Sequence, residues 1–151
     1  MDDAARAFLE NNHAAAMTTL KRDGTPHTVR IGVALVDGRI WSSSTPDRLR
    51  TKHLRRDPRS TLFVFNDAWA YLTLECRVTI LEGPAAIADS VKLFETMQRG
   101  MTPAPSPGKL VWYGQEKSVD EFLKLMEEER RIIYQFDVTR SYGLYGTPPA
   151  R

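Results

Sequence analysis

Apolar and polar residues alternate with a period of two in several stretches of the chain, which is the pattern of a half-buried β-strand. The clearest case covers residues 71–81 and ends at Gly83-Pro84. A second covers residues 25–36 and is interrupted at Gly32, where a bulge can form. Shorter strands are predicted over residues 13–20, 39–43, 60–65 and 131–142. We therefore expect about six strands.

Two short turns determine how the first strands are connected. Asp23-Gly24 and Asp37-Gly38 supply the positive φ angles that two-residue hairpin turns need. Such turns are too short for the crossover that parallel strands require. The pattern therefore predicts a mainly β fold with added helices, a six-stranded antiparallel barrel that is closed or split. Residues 1–151 show neither an internal repeat nor a domain boundary, so a single domain is expected.

Four helices are predicted around the strands. They cover residues 3–11, about 46–57, 89–99 and about 118–130, and Ser118-Val119-Asp120-Glu121 is a capping box for the last one. Residues 101–116 contain three prolines and two glycines, which predicts an irregular segment. Because this segment also contains Leu110-Val111-Trp112-Tyr113, we expect a lid or an interface loop. The Gly- and Pro-rich tail, residues 146–151, is expected to be frayed.

Composition and charge argue against several function classes. The formal net charge of +2 is too small to indicate nucleic-acid binding by itself. We find no apolar run of 18 residues and no signal-peptide pattern, so neither a membrane association nor secretion is expected. The single cysteine excludes an internal disulfide and suits a reducing cytoplasm. The three histidines are scattered, and no metal site is predicted.

Two residues with reactive side chains are interpreted as structural. Cys76 lies on the apolar side of the 71–81 strand, so we interpret it as a small core residue and not as a nucleophile. His27 shares a strand face with Val29 and is interpreted as a structural histidine. The sequence contains no Ser-His-Asp pattern and no GxGxxG motif, and no catalytic side chain is predicted.

The segment after the third strand carries the strongest functional signal. Ser42-Ser43-Ser44 ends that strand, Thr45 is a predicted helix N-cap, and Pro46 suits the first helical position. Arg50 and Lys52 follow inside the predicted helix. Free N–H groups at a helix start, hydroxyls and cations together suit a phosphate. We therefore predict that this turn binds the phosphate of a redox cofactor.

A basic, solvated helix is the alternative interpretation of the same segment. Helical spacing places Arg48, Lys52, Arg55 and Arg59 on one side of the predicted helix. Arg50 falls on a different stripe, and it is expected near the buried edge, where its charge needs a counter-ion.

The order of these motifs resembles the pyridoxamine 5′-phosphate oxidase-like superfamily, with its FMN-binding split β-barrel. The resemblance rests on Asp23-Gly24-Thr25-Pro26-His27, Asp37-Gly38, the serine turn and the block His53-Leu54-Arg55-Arg56-Asp57-Pro58-Arg59, and it covers residues 13–82. The block is most similar to actinobacterial enzymes that use the deazaflavin coenzyme F420. The resemblance implies a homodimer that holds a flavin or deazaflavin ring in a groove at the subunit interface.

The resemblance also implies roles for individual residues. The three serines match strand-end positions that contact the cofactor's phosphate and polyol, and Arg50 matches a basic position, usually lysine, that pairs with the phosphate. Lys52 matches a second basic position, and Arg30 lies near a cofactor-contacting arginine of the oxidase branch. The predicted cofactor-binding set is Arg30, Ser42, Ser43, Ser44, Thr45, Arg50 and Lys52.

Three features depart from the family pattern. Arginine at position 50 offers a bidentate fork where a lysine offers a point charge. Cys76 stands where relatives usually have glycine. The C-terminal substrate motifs of the vitamin B6 oxidases are absent, so that particular activity is not expected.

The cofactors of this superfamily carry the hydride themselves, so the protein has to bind the cofactor, orient it and exclude water. Our first hypothesis is an F420-dependent oxidoreductase that acts on an unknown small organic substrate. The second is an FMN-binding flavoprotein with the same barrel. The third is a non-catalytic barrel that binds a ligand or, through its basic helix, nucleic acid.

Overall fold

The computed structural model describes residues 1–146. The tail beyond Gly146, which was predicted to be frayed, lies outside the described residues. Within that range the chain forms four helices and nine strands. The helices are α1 (Asp3–Asn11), α2 (Leu49–Arg56), α3 (Pro84–Gln98) and α4 (Val119–Glu128). The strands are β1 (Ala14–Leu20), β2 (Pro26–Gly32), β3 (Ala34–Val36), β4 (Arg39–Ser44), β5 (Arg59–Phe65), β6 (Tyr71–Leu81), β7 (Lys109–Trp112), β8 (Gln115–Ser118) and β9 (Ile132–Leu144).

Seven of these strands form one curled antiparallel sheet in the order β2-β1-β5-β6-β9-β4-β3. The strands at its two ends, β2 and β3, are consecutive in the chain and are separated only by Val33. The hydroxyl of Ser42 on β4 donates a hydrogen bond to the carbonyl of Gly32 on β2 (2.7 Å), which links the two ends of the sheet. The fold is the predicted split β-barrel.

The sheet has seven strands and not about six, because the segment 25–36 is two strands and not one; β7 and β8 form a separate two-stranded sheet. The Val33 N–H donates to the carbonyl of His13 (2.8 Å), so the ladder to β1 ends there and Ala34 pairs with Trp41 of β4 instead. The interruption predicted at Gly32 is therefore where the chain passes from one end of the sheet to the other.

The barrel interior is filled by the apolar faces of the strands. Met17, Leu62, Leu74 and Tyr134 are fully buried there. Cys76 is also buried in this core, and burial raises the pKa of its thiol to about 12, as expected for a structural cysteine. A second layer lies outside the barrel, where α3 packs against β3, β4 and β9 through residues that include Leu93, Trp41 and Ile133.

The predicted start of α2 is wrong. The helix begins at Leu49, its N-cap is Arg48, and no side chain caps it. Thr45 forms a turn instead, in which its hydroxyl donates to the Asp47 carboxylate (2.7 Å) and its carbonyl accepts from the Thr51 hydroxyl (2.8 Å). Because the turn uses the hydroxyl of Thr45, that residue does not cap the helix.

The segment predicted to be irregular, 101–116, contains regular structure. Strands β7 and β8 form a hairpin whose tip, Tyr113-Gly114, has the two positive φ angles (47° and 76°) of a type I′ turn. Gln98 of α3 holds this hairpin, because its side-chain amide pairs with both the N–H and the C=O of Val111. The three prolines that suggested an irregular segment all precede the hairpin. The capping box of Ser118 and Glu121 at the start of α4 is confirmed. Helix α3 starts at Pro84, which is earlier than the predicted start at residue 89.

Candidate functional site

The end of β4 and the start of α2 meet at the surface of the barrel, next to β9. Two polar side-chain atoms at this point are buried and have no hydrogen-bond partner: the hydroxyl oxygen of Ser43 and Nε of Arg50. Buried polar groups are nearly always paired in folded proteins. Two unpaired groups, one on each of two adjacent elements and both from the predicted set, mark a position where a ligand can accept hydrogen bonds.

The three serine hydroxyls differ in their hydrogen bonding. Ser42 and Ser44 are buried and already bonded, Ser42 to the Gly32 carbonyl and Ser44 to the Tyr134 hydroxyl (2.9 Å). Successive residues of a strand face opposite sides, so Ser43 faces the outer side of the barrel. The hydroxyls predicted to bind the cofactor at positions 42 and 44 therefore support the turn from inside, and Ser43 alone of the three presents a free one.

Arg50 lies at the buried edge of α2, as its helical stripe predicted. Burial is the main factor that lowers its pKa from the usual value, and the positive charges of Arg48 and Arg131 lower it further. Its expected counter-ion is not found, because no carboxylate in residues 1–146 forms an ion pair with it. The guanidinium stays protonated at neutral pH, so the site has a positive charge that no described side chain neutralises.

A cavity of about 320 Å³ opens beside Ser43, between the barrel and the β7–β8 hairpin. Its charged lining consists of Arg48 and Arg131. The opposite wall is apolar and aromatic. The full lining is Gly32, Ser43, Arg48, Phe94, Met97, Val111, Trp112, Tyr113 and Arg131. A pocket of this kind suits a ligand that combines an anionic group with an apolar body.

Arg131 is the functional candidate that the sequence did not reveal. The residue is only 7% exposed, it donates two hydrogen bonds to Glu129 (2.7 and 3.1 Å), and its guanidinium carbon lies 5.0 Å from the centre of the Trp112 ring. The sequence predicts that Arg131 starts a strand and that Trp112 lies in an irregular segment, so it does not indicate a contact between them. The one available signal was the apolar run around Trp112, which is unusual for a solvated loop.

Ser43 is the one member of the predicted set that lines this cavity, and Arg50 is not part of the lining. Arg30 is exposed on β2 and lines a second cavity, of about 520 Å³, with His13, Ala14, Ile31 and Gly32. Gly32 lines both cavities, so they adjoin. Lys52 is exposed on α2 and lines neither cavity, and the Thr45 hydroxyl is bonded to Asp47.

Gly32 has a steric role where the two cavities meet. A Cβ atom at this position would lie 3.0 Å from the Met97 sulfur. The absence of a side chain at Gly32 therefore lets the Met97 side chain pack close to the backbone of β2.

Nucleic-acid binding and metal binding have less structural support in the described residues. Arg55 pairs with Glu82 and Arg59 with Asp57 (2.8 Å), so part of the basic stripe is neutralised, which weakens the nucleic-acid alternative. Within residues 1–146, no group of three His, Cys, Asp or Glu side chains could hold a metal, and no helix is long and apolar enough to cross a membrane. His27 stacks edge-on against His53, 5.1 Å between ring centres.

Fold and site together define a split-barrel protein with an arginine-lined cavity on the outer side of β4. The chain belongs to the pyridoxamine 5′-phosphate oxidase family, whose model matches residues 1–112. It is 30% identical over 113 residues to an F420H(2)-dependent biliverdin reductase of Mycobacterium tuberculosis, a match that covers 74% of this chain and 80% of the relative. This relative belongs to the F420-using branch that the sequence indicated.

Solved structures share the fold over nearly the whole chain. A conserved hypothetical protein of Mycobacterium tuberculosis superposes with a TM-score of 0.72 at 19% identity, covering 100% of this chain and 91% of that one. An F420 reductase superposes with a TM-score of 0.63 at 18% identity, covering 91% of this chain and 94% of that one. The shared fold therefore includes α3, α4 and β9, which lie C-terminal to residues 13–82, where the sequence resemblance was clear.

Proposed function

We propose that this protein is an F420-dependent oxidoreductase that transfers a hydride between reduced deazaflavin and a small organic substrate. The observation that carries the proposal is the pair of buried, unpaired groups on Ser43 and Arg50. Ser43 lines a cavity together with the guanidinium groups of Arg48 and Arg131, and Arg50 is close enough to both arginines for their charges to lower its pKa. The similarity to an F420H(2)-dependent reductase supports it. The free thiol of Cys76 is compatible with our proposal that the protein acts in the cytoplasm.

The distribution of charge favours F420 over FMN. FMN ends in its phosphate, whereas in F420 the phosphate is a diester that continues into a tail with several carboxylates. Two arginines, Arg48 and Arg131, line the cavity in addition to the nearby Arg50 of α2, and only Glu129 pairs with either of these two in residues 1–146. A site for one phosphate needs fewer cations, so the additional arginines support a ligand with further negative charges.

In this proposal the protein binds and orients the cofactor, and the deazaflavin supplies the hydride chemistry when it is bound. Ser43 and Arg50 hold the phosphate, and Arg48 and Arg131 hold the anionic tail. The wall formed by Trp112 excludes water from one side. We assign no acid–base role to a side chain.

We also propose a homodimer that forms through the outer face of the sheet. Backbone pairing places Arg30, Ala16, Phe63, Thr73 and Tyr142 in one row across five strands. Phe63 is 41% and Tyr142 45% exposed, and Phe63 stacks on Tyr71 with 5.0 Å between ring centres. An aromatic face of this kind is typical of an interface. Because Arg30 lies in the same row, a second subunit on this face would border the cavity that Arg30 lines.

Fluorescence titration of the purified protein with F420 tests the proposal. We expect saturable quenching or enhancement of F420 fluorescence at micromolar concentrations, and weaker binding of FMN. Protein that is yellow as purified, with a flavin absorption spectrum, would replace F420 with FMN as the cofactor. Failure to bind either cofactor, combined with steeply salt-dependent DNA binding, would support the third hypothesis instead.

A further inference from the structure

Tyr134 of β9 lies behind the anion site and is fully buried. Its hydroxyl is hydrogen-bonded to two side chains from different elements: Ser44 at the end of β4 (2.9 Å) and Thr51 in the first turn of α2. The Thr51 hydroxyl in turn donates to the Thr45 carbonyl in the connecting turn (2.8 Å). A chain of hydroxyls thus joins strand, turn and helix.

The residues that Tyr134 holds are the direct neighbours of the two residues with unpaired groups. Ser44 follows Ser43, and Thr51 follows Arg50. Tyr134 is also close enough to the Arg50 side chain to act on its charge. The distance between the Ser43 hydroxyl and the Arg50 guanidinium therefore depends on how Tyr134 fixes the two elements.

No side chain caps the N-terminus of α2, so its first turn lacks the usual local restraint. The C-terminal half of the helix is attached separately: His53 is bonded to Thr19 of β1 (2.9 Å) and Arg56 donates to the Leu20 carbonyl. The hydroxyl chain through Tyr134 is the corresponding attachment of the N-terminal half, where Arg50 lies.

We propose that Tyr134 is a positioning residue for the anion site, one that fixes the spacing of Ser43 and Arg50 without contacting the ligand. This inference rests on the proposed function, because it concerns the phosphate of the same cofactor. A preorganised pair of donors binds an anion more tightly than a mobile pair, since less conformational entropy is lost on binding.

The test is a double-mutant cycle for F420 binding with Tyr134→Phe and Arg50→Ala. We expect Tyr134→Phe to raise the Kd for F420 about fivefold to tenfold, on the scale of one lost hydrogen bond. In the Arg50→Ala background the same substitution should change Kd less than twofold, because there is no guanidinium left to position. The phosphate-free deazaflavin chromophore should bind wild type and Tyr134→Phe equally.

Thr19→Val is the matched control, because it removes a buried hydroxyl that holds the other half of α2. It should lower the melting temperature about as much as Tyr134→Phe and leave the Kd for F420 within twofold of wild type. Equal loss of affinity in both Arg50 backgrounds, or an equal loss in Thr19→Val, would overturn the positioning role while the proposed function stands. Wild-type protein that binds neither F420 nor FMN would overturn both.

Discussion

The guanidinium of Arg131 lies over the ring of Trp112, with its central carbon 5.0 Å from the ring centre. One edge of the same group is bound by Glu129, so two neighbours fix its orientation before any ligand arrives. Arg131 follows directly on Arg130, a non-glycine residue with a positive φ of 52° at the end of the α4 segment. The pairing joins the last strand of the barrel to the β7–β8 hairpin, two parts of the chain that the sequence did not connect.

Replacing Arg131 by lysine tests whether this orientation matters. Lysine keeps the charge but loses the fork that binds Glu129 and the flat surface that lies on Trp112. We expect Arg131→Lys to weaken F420 binding about threefold to tenfold, on the scale of a lost charge-assisted hydrogen bond. An F420 analogue whose tail lacks carboxylates should show no difference between the two proteins. An equal loss with that analogue would mean that Arg131 does not bind the tail.

Removing the Arg50 guanidinium should have a larger effect. We expect Arg50→Ala to cost about 1.5–3 kcal/mol of binding free energy, the scale of a charge-assisted hydrogen bond to phosphate. Arg55→Ala is the matched control, because Arg55 is an exposed arginine of the same helix that pairs with Glu82. Fluorescence titration of both variants gives the comparison, and similar losses at the two positions would contradict the assignment of Arg50.

The buried thiol of Cys76 predicts a specific loss of stability at high pH. Burial, with the nearby charges of Asp137 and Glu75, raises its pKa from 9.0 to about 12 in the folded protein. Between these values the unfolded chain releases the proton and the folded chain keeps it. The free energy of unfolding should therefore fall by about 1.4 kcal/mol for each pH unit above pH 9.

Urea unfolding at pH 8 and pH 10 measures this effect. The additional loss in wild type should be absent from Cys76→Ala, which has no thiol to titrate. The same pH dependence in both proteins would show that another group is responsible.

A charge on the aromatic sheet face should prevent dimer formation. We expect Phe63→Glu to be monomeric in size-exclusion chromatography with light scattering, because a carboxylate would be buried without a partner in the interface. Met101→Glu is the control, since Met101 is equally exposed (42%, against 41% for Phe63) and lies outside that face. A wild-type protein that is itself monomeric would refute the proposed dimer.

The local elements of this protein could be predicted from its sequence wherever local rules decide them. The alternation over β6, the Asp37-Gly38 hairpin and the Ser118 capping box gave the correct element types because each depends on neighbouring residues only. The hairpin at Asp23-Gly24 also forms, but its loop is longer than the predicted two residues and only Gly24 has a positive φ. The start of α2 was predicted wrongly for a reason outside those rules: the Thr45 hydroxyl bonds to Asp47 in a separate turn. Local propensity does not show whether a hydroxyl such as that of Thr45 will cap the helix or bond to a neighbouring carboxylate.

The sequence by itself determined the barrel, the family and the position of the basic turn with Arg50, because period-two alternation and motif order are written along the chain. The tertiary structure alone decided which groups at that turn are free. Ser42 and Ser44 are bonded inside the barrel while Ser43 is not, and Arg131, the residue before β9, reaches the same cavity from far along the chain. The physical reason is that hydrogen-bond satisfaction and charge balance depend on which side chains folding brings together, and distance along the sequence does not record this.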